Sequence, residues 1–243
     1  MSTLVNVKDL SVSYFTYAGE VQSVRGVSFE IEKGEIFGFL GPNGAGKTTA
    51  MKILTGLSRP DSGSCRIMGA DVFESFTDAM KKTGSIIENV VPYPNLTALE
   101  NMELIASFKG GTKENSEACL KRVGMEKFMN EKTKNFSLGM KQRLGFAMAM
   151  SGEPEVMILD EPLNGLDVSG MVEIRNIIKE MAEGGCTFLI SSHLIHDVEL
   201  TCTKVGILFS GKMVNVDTTE NIIKNYSSLE NYYLSEVELY DRV

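Results

Sequence analysis

The four cysteines, Cys65, Cys119, Cys186 and Cys202, include no C-x-x-C pair, so neither a zinc ribbon nor a thioredoxin-type redox motif is written into the sequence. With no signal peptide ahead of them, reduced thiols in a cytosolic protein are the expectation. Histidine occurs only at His193 and His196. Their i, i+3 spacing suits a metal pair, but no third ligand stands nearby, which argues against zinc. No lysine-arginine block offsets the formal net charge of -8 and the sequence pI near 5.0. That balance disfavours binding to a phosphate backbone, so no nucleic-acid partner is expected. Lys, Arg, Asp or Glu interrupts every apolar run before it reaches the roughly 18 to 20 residues of a membrane span. A chain of this kind does not cross a bilayer by itself, although a complementary surface patch can still dock it on a membrane protein. Internal repeats and low-complexity segments are absent as well.

What is present suffices for a sizeable core: 243 residues, 43% of them hydrophobic, need neither disulfides nor metal to fold. The most informative stretch is Gly41-Pro42-Asn43-Gly44-Ala45-Gly46-Lys47-Thr48, followed by Thr49. It is a complete G-x-x-x-x-G-K-[ST] loop, placed after the apolar run Ile36-Phe37-Gly38-Phe39-Leu40 and before a helix-like stretch. Glycines let the backbone turn sharply and aim successive N–H groups inward, and a helix beginning near Gly46 adds its positive end beneath an anion. Lys47 is expected to reach the β- and γ-phosphates of a nucleotide and Thr48 to hold Mg²⁺.

Alternation over residues 4–12 and 27–31, then the 36–40 run, predicts a β-rich N-terminal region that ends in the strand feeding this loop. Residues 50–57 are expected to continue the helix beneath it. Pro60-Asp61-Ser62-Gly63 is a turn signal, with short strands predicted at 64–67 and 84–87. Pro92 and Pro94 then break the pattern, and Thr97 with Glu100 forms a capping box for a helix through about residue 108. Strand and helix alternation returns with strands at 156–159, 187–190 and 205–209 and a helix from about 170 to 183. Gly211 sits in a hairpin-like turn, and a short helix and a polar, tyrosine-containing tail are expected after 218. The whole reads as one α/β domain over 1–243. An α/β nucleotide core takes 1–88 and 153–217, an inserted helical subdomain takes 89–152, and a C-terminal helix and tail take 218–243.

Val156-Met157-Ile158-Leu159-Asp160-Glu161-Pro162 is a buried-strand pattern that ends in two adjacent carboxylates. Acids also end strands simply before turns, but behind a phosphate loop Asp160 is expected to meet Mg²⁺. Glu161, on the other side of the pleat, is then expected to polarise an attacking water. Phe136-Ser137-Leu138-Gly139-Met140-Lys141-Gln142-Arg143 precedes a helical run, so Ser137 is a candidate N-cap that leaves free N–H groups for a second anion. An ordinary capped core helix explains the octapeptide equally well. Downstream lie Leu163-Asn164-Gly165-Leu166-Asp167 and Ser191-Ser192-His193.

In this order the motifs resemble those of the ATP-binding cassette family, the nucleotide-hydrolysing subunits of ABC transporters, and the resemblance covers essentially the whole chain. Residues 41–48 are similar to the Walker A loop, 156–161 to the Walker B strand, and 136–141 to the LSGGQ signature. Residues 163–167 resemble the D-loop, and His193 the switch histidine. Tyr14 looks like the aromatic residue that stacks on adenine, with Phe15 and Tyr17 close enough to take its place. The resemblance implies a P-loop NTPase fold of ABC type, with a mixed-sheet core, an N-terminal antiparallel β region and the inserted helical subdomain. It implies ATP and Mg²⁺ as ligands, Glu161 as general base, His193 steadying the γ-phosphate and the water, and Asp167 communicating across a dimer. Two cassettes, identical in the simplest case, are implied to pair head to tail. Ser137 and Gly139 of one chain then close on the γ-phosphate held by Lys47 of the other.

The signature region departs from the family pattern, with Phe136 for Leu, Leu138 for the first Gly and Met140-Lys141 for the usual glutamines. Glu88 stands where most members carry the Gln of the Q-loop, so a third metal ligand beside Thr48 and Asp160 is expected there, unless Glu88 is merely a solvated acid at a strand end. Ile86-Ile87-Glu88-Asn89, Tyr93-Pro94-Asn95-Leu96-Thr97 and Ser137 to Arg143 resemble the subgroup of bacitracin and lantibiotic resistance exporters. The function implied is Mg²⁺-dependent ATP hydrolysis that drives a separate membrane permease, exporting a hydrophobic or antimicrobial compound or peptide. The subunit is then peripheral on the inner face of the membrane. A non-transport cassette acting as a switch, or a regulatory nucleotide-binding module, is the competing reading. The chain has neither the long coiled coil nor the second cassette of the switch proteins.

Overall fold

The computed structural model describes residues 2–17 and 19–241. In chain order the elements are β1 (Thr3–Thr16), β2 (Gly19–Glu32), β3 (Ile36–Leu40), α1 (Lys47–Leu54), β4 (Ser62–Ile67), β5 (Ala70–Asp71), α2 (Phe76–Met80) and β6 (Thr83–Ile86). Then come α3 (Ala98–Lys109), α4 (Lys113–Arg122), α5 (Leu138–Met150), β7 (Val156–Asp160), α6 (Val168–Glu183), β8 (Thr187–Ser191) and α7 (Ile195–Thr201). Strands β9 (Lys204–Phe209) and β10 (Lys212–Thr218) and helices α8 (Thr219–Tyr226) and α9 (Leu229–Asp241) complete the described chain.

Two sheets form. An antiparallel sheet has the order β2-β1-β4-β5, and a mixed sheet has the order β10-β9-β3-β8-β7-β6. In the mixed sheet β9, β3, β8, β7 and β6 run parallel, and β10 is an antiparallel edge. Its inner strands are apolar end to end because both faces are covered, and the pleat then sorts alternate residues into two cores. Ile36 and Leu40 of β3, Met157 and Leu159 of β7, and Phe188 and Ile190 of β8 pack with the helices α3 to α9. Phe37 and Phe39, Val156 and Ile158, and Leu189 pack with the antiparallel sheet and α1 on the other face. There Phe29, Phe37 and Phe39 form a mutual ring cluster with centroids 5.0 to 5.6 Å apart. The nucleotide-loop strand β3 is thus central, with its C-terminal end at the edge where the loops gather.

Thr97 caps α3 as expected: its Oγ1 accepts the Glu100 N–H at 3.1 Å, and Glu100 Oε2 accepts the Thr97 N–H at 2.7 Å. Strands β1 and β2 are both longer than the alternation suggested, since they pair with each other through several register shifts that keep the ladder going. Past Thr218 the chain forms two helices where one helix and a polar tail were expected. Leu229 and Tyr232 of α9 are buried in the helix-side core, and the Tyr226 ring of α8 lies tilted against that of Tyr232 with centroids 5.0 Å apart. Tyrosine rings that read as polar in sequence supply the burial that keeps α9 folded.

Candidate functional site

The phosphate loop leaves β3 at Gly41, whose φ is 155° and where a Cβ would stand 2.2 Å from the Leu208 carbonyl oxygen. At Gly46, with φ at 104°, a Cβ would stand 2.4 Å from the Ser23 carbonyl oxygen. Only glycine tolerates both the conformation and the approach. Gly211, in the turn between β9 and β10, donates its N–H to Ala45 O at 3.0 Å and fastens the loop to that turn. Residues 43–49, with Ser23 and Glu161, line an open concavity of about 210 Å³.

Lys47 opens α1 and is 7% exposed, and its Nζ donates to Gly41 O at 2.6 Å and Pro42 O at 3.2 Å. Burial pushes the ammonium below its usual range, and the nearby Glu161 and Asp160 carboxylates oppose that shift. The charge is held without a carboxylate contact and is available to an anion entering the loop. Thr48 Oγ1 donates to Asp160 Oδ2 at 2.8 Å, which joins the phosphate loop to the end of β7. Thr49 Oγ1 lies 3.0 Å from Ser23 Oγ of β2.

Asp160 is 5% exposed, and its second oxygen accepts the hydroxyl of Ser191, which is fully buried at the end of β8. The next residue, Glu161, donates its N–H to Ser191 Oγ at 3.0 Å and to Ser191 O at 3.2 Å. Glu161 has a φ of 49° and stands one residue beyond the strand. Its direction is therefore set by a left-handed turn at the strand end, where the sequence reading had relied on pleat alternation. Glu161 Oε2 lies 2.8 Å from His193 Nδ1. A carboxylate that lines the phosphate-loop concavity and is oriented by an imidazole has the arrangement of a general base.

Thr48 and Asp160 supply one hydroxyl and one carboxylate in mutual contact, a donor set that fits Mg²⁺, since that ion keeps several waters and binds through few protein oxygens plus phosphates. Among the described residues no group of three or more His, Cys, Asp or Glu side chains converges on a metal position. Glu88 does not line the phosphate-loop concavity. It has a φ of 60°, and its carboxylate pairs with Lys52 Nζ of α1 at 2.5 Å. Tyr14, 39% exposed, places its hydroxyl 3.1 Å from Ser58 Oγ, and Phe15 and Tyr17 beside it are more exposed still.

Ser137 is the N-cap of α5 and accepts the Met140 N–H at 3.2 Å. A second concavity, of about 430 Å³, is lined by residues 137–140, Arg143 and residues 165–167. It shares no residue with the first. Ser137, Gly139 and Asp167 are thus brought together with one another and kept apart from Lys47 within one chain. Gly139 packs so closely on the Gly165 carbonyl that a Cβ would stand 2.9 Å from it. Asp167 caps α6 by accepting the Gly170 N–H at 2.9 Å, and that bond holds its carboxyl below the usual range.

Of four residues that tie the site together, Gln142, Arg143 and Ser191 stand inside sequence motifs that gave them no role of their own, and Lys52 was not singled out. Gln142, 7% exposed, donates Nε2 to Pro162 O at 3.0 Å and so couples α5 to the carboxylate turn. Arg143 Nη1 donates to Val123 O at 2.7 Å and to Glu173 of α6 at 2.6 Å. Ser191 and Lys52 complete the set. The available signal was the polar run Lys141-Gln142-Arg143 on a helix otherwise made of Leu, Gly, Met, Phe and Ala.

A family model described as ABC transporter matches residues 24–164. The bacitracin transport ATP-binding protein BcrA of Bacillus licheniformis is 39% identical over 238 residues, which cover 97% of this chain and 76% of that one. The lantibiotic transport ATP-binding protein SrtF of Streptococcus pyogenes is 38% identical over 222 residues, covering 90% and 94%. Among solved structures, an ATP-binding subunit of an ABC transporter superposes with a TM-score of 0.87 at 29% identity, over 96% of this chain and 99% of that one. The dimeric ATP-binding cassette MJ0796, bound to ADP and Pi, superposes with a TM-score of 0.82 at 26% identity, over 89% and 99%.

Proposed function

The chain belongs to the ABC transporter family, and we propose that it is the ATP-hydrolysing subunit powering a separate membrane permease, with its reaction centre at the concavity between the phosphate loop and Glu161. The observation that carries this reading is the contact chain Thr48–Asp160–Ser191–Glu161–His193, which joins the phosphate cradle to an oriented base through hydrogen bonds of a single chain. Lys47 and the N–H groups of residues 43–48 receive the β- and γ-phosphates, with the N-terminus of α1 behind them. Thr48 and Asp160 hold magnesium, which supplies charge neutralisation on the phosphates when bound. Glu161 accepts a proton from the attacking water, and His193 fixes the orientation of the Glu161 carboxylate. Tyr14, or Phe15 or Tyr17 next to it, stacks on the adenine.

The second concavity completes the reaction centre of a partner cassette. Ser137 and Gly139 at the N-terminus of α5 close on the γ-phosphate held by Lys47 of the other chain, and Asp167 stands at the seam. Hydrolysis then requires closure of two chains, which is how the chemistry is coupled to work on the permease. Among the described residues no helix is long and apolar enough to cross a membrane. By similarity to transport ATP-binding proteins, the subunit sits on the cytoplasmic face through its permease, with the helical region 89–152 and the surface around Glu88 as the docking side. By similarity to the bacitracin and lantibiotic transport proteins, the cargo is a hydrophobic or antimicrobial compound or peptide and the direction is export.

The purified chain reconstituted with its permease is expected to hydrolyse ATP, and Glu161→Gln to lower turnover by roughly 100-fold or more. ATP should convert that variant to a stable dimer on gel filtration. Undiminished turnover in Glu161→Gln would overturn the assignment of the base.

A further inference from the structure

A small cavity of about 20 Å³ shares Glu161 with the phosphate-loop concavity and no other residue of it. One wall is the turn after Glu161, through Pro162, Leu163 and Asn164, tied back by the Asn164 N–H, which donates to Glu161 O at 3.1 Å. Another is formed by Ser192 and Leu194, the two neighbours of His193, held together by the Leu194 N–H on Ser192 Oγ at 3.0 Å. Ile178 of α6, Ile190 of β8 and Val198 of α7 make the remainder apolar. The 2.8 Å contact between Glu161 and His193 therefore joins the residue that begins the first wall to the residue at the centre of the second. Thr201, in the last turn of α7, also lines this cavity. It is 7% exposed, and its buried Oγ1 has no hydrogen-bond partner among the described residues. The ordinary solution is the one at the end of α1, where Thr55 returns its hydroxyl to Met51 O at 2.9 Å. Other polar groups of the lining are committed, Ser192 Oγ to Leu194 and Asp197 Oδ1 to Arg175 Nη1 at 2.5 Å.

We propose that this cavity is a binding site for a small neutral molecule with an apolar body and one hydroxyl, a short alcohol in chemical class, whose oxygen pairs with Thr201 Oγ1. The volume exceeds the roughly 10 to 15 Å³ that one water needs, but a buried water is held by about three polar partners. Here a single uncommitted buried hydroxyl is on offer, so an occupant with one polar atom and carbons for the apolar walls fits better than water. A charged occupant is excluded by the same dryness, which also pushes the adjoining Cys202 thiol up to about 12. Occupancy braces the turn after Glu161 against the segment that carries His193. Turnover requires both to adjust as the chain closes on a nucleotide and reopens, so bracing slows it. That consequence rests on the ATPase reading above, whereas the binding itself does not.

The test is methyl-resolved NMR of the full chain without nucleotide, titrated with 2-methylpropan-1-ol, for the wild type, Thr201→Val and Thr201→Ile. In the wild type the methyl signals of Leu163, Ile178, Ile190 and Val198 are expected to shift together and to saturate in the millimolar range. Thr201→Val keeps the shape and removes the hydroxyl, so it should weaken binding about 3- to 10-fold, the worth of one hydrogen bond. Its melting temperature should not fall, because the group removed has no partner. Thr201→Ile adds a carbon inside the cavity and should abolish the saturable shifts. Saturating alcohol should lower wild-type ATP turnover about 2-fold or more and leave turnover of Thr201→Ile unchanged. Shifts that fail to saturate in the wild type, or that survive Thr201→Ile, would overturn the site. A lower melting temperature in Thr201→Val would show that the hydroxyl is already partnered and would overturn it as well. Saturable shifts with wild-type turnover unaffected would overturn the bracing. The titration needs no nucleotide, so its outcome is independent of whether Glu161→Gln loses turnover.

Discussion

Ser191 shows how much one small side chain carries at the proposed reaction centre. It is fully buried, its hydroxyl donates to Asp160 Oδ1, and both its Oγ and its carbonyl oxygen accept the Glu161 N–H. The hydroxyl thereby ties Asp160, the proposed magnesium ligand, to the backbone of Glu161, the proposed base. Ser191→Ala leaves a buried Asp160 oxygen short of a donor, a loss of about 1 to 3 kcal/mol. The expected result is a lower urea midpoint with an unchanged slope, together with slower ATP turnover. Loss of stability with turnover intact would show that the hydroxyl serves the fold alone. Ser191 was legible in sequence only as the residue two before His193, because the contact that gives it meaning spans 31 positions.

At the scale of elements, packing of β6 against the end of α5 sets the platform on which the carboxylates stand. At Gly84 of β6 a Cβ would lie 2.1 Å from the Ala149 carbonyl oxygen, a backbone atom that cannot give way. Gly84→Ala is expected to cost about 3 kcal/mol or more, read as a drop in the chemical-denaturation midpoint. The α3 capping box was legible because both partners lie within four residues, and Thr97→Ala should lower the melting temperature by roughly 2 to 4 °C. Hydrogen bonding by the Thr97 backbone and hydroxyl holds the Glu100 carboxyl below its ordinary value. The sign follows from that depression. The unfolded chain takes up this proton first, so the contribution is present above the unfolded value of about 4.3 and is lost as pH falls through the lower folded one. Glu100→Gln should therefore flatten the acid limb of a stability–pH profile, and an unaltered acid limb would count against the capping account. The Asp167 cap of α6 follows the same sign.

Across the whole molecule, the central sheet separates two apolar cores, and the cysteines report on both. Cys65 lies in the core beneath the antiparallel sheet, and Cys186 and Cys202 lie in the core beneath the helices. Burial pushes all three thiols up to about 12. A soluble alkylating reagent at pH 8 is expected to leave these three unmodified in the folded chain and to label them once denaturant exposes them. The unfolded chain releases the same protons near pH 8.5 while the folded chain retains them, so stability should fall as pH rises above about 8.5. A flat alkaline profile to pH 10.5 would contradict the burial of the thiols.

The sequence by itself determined whatever chemistry is encoded in contiguous residues. The phosphate loop, the buried strand ending in Asp160-Glu161, the Ser137 and Thr97 caps and the order of motifs are all local patterns, readable from spacing and side-chain type. Tertiary structure alone decided which of these meet. Asp160 reaches Thr48 across 112 positions, Glu88 reaches Lys52 across 36, and Val90 finds the Gly145 notch. No local rule contains such distances, because each is set by how strands order themselves in a sheet and how helices stack upon it. The turn at Glu161 and the burial of Tyr232 in α9 belong to the same class: backbone conformation and burial were chosen there by neighbours far away in the chain. Separation of the Lys47 and Ser137 concavities, which share no lining residue, is also a fact of the tertiary fold.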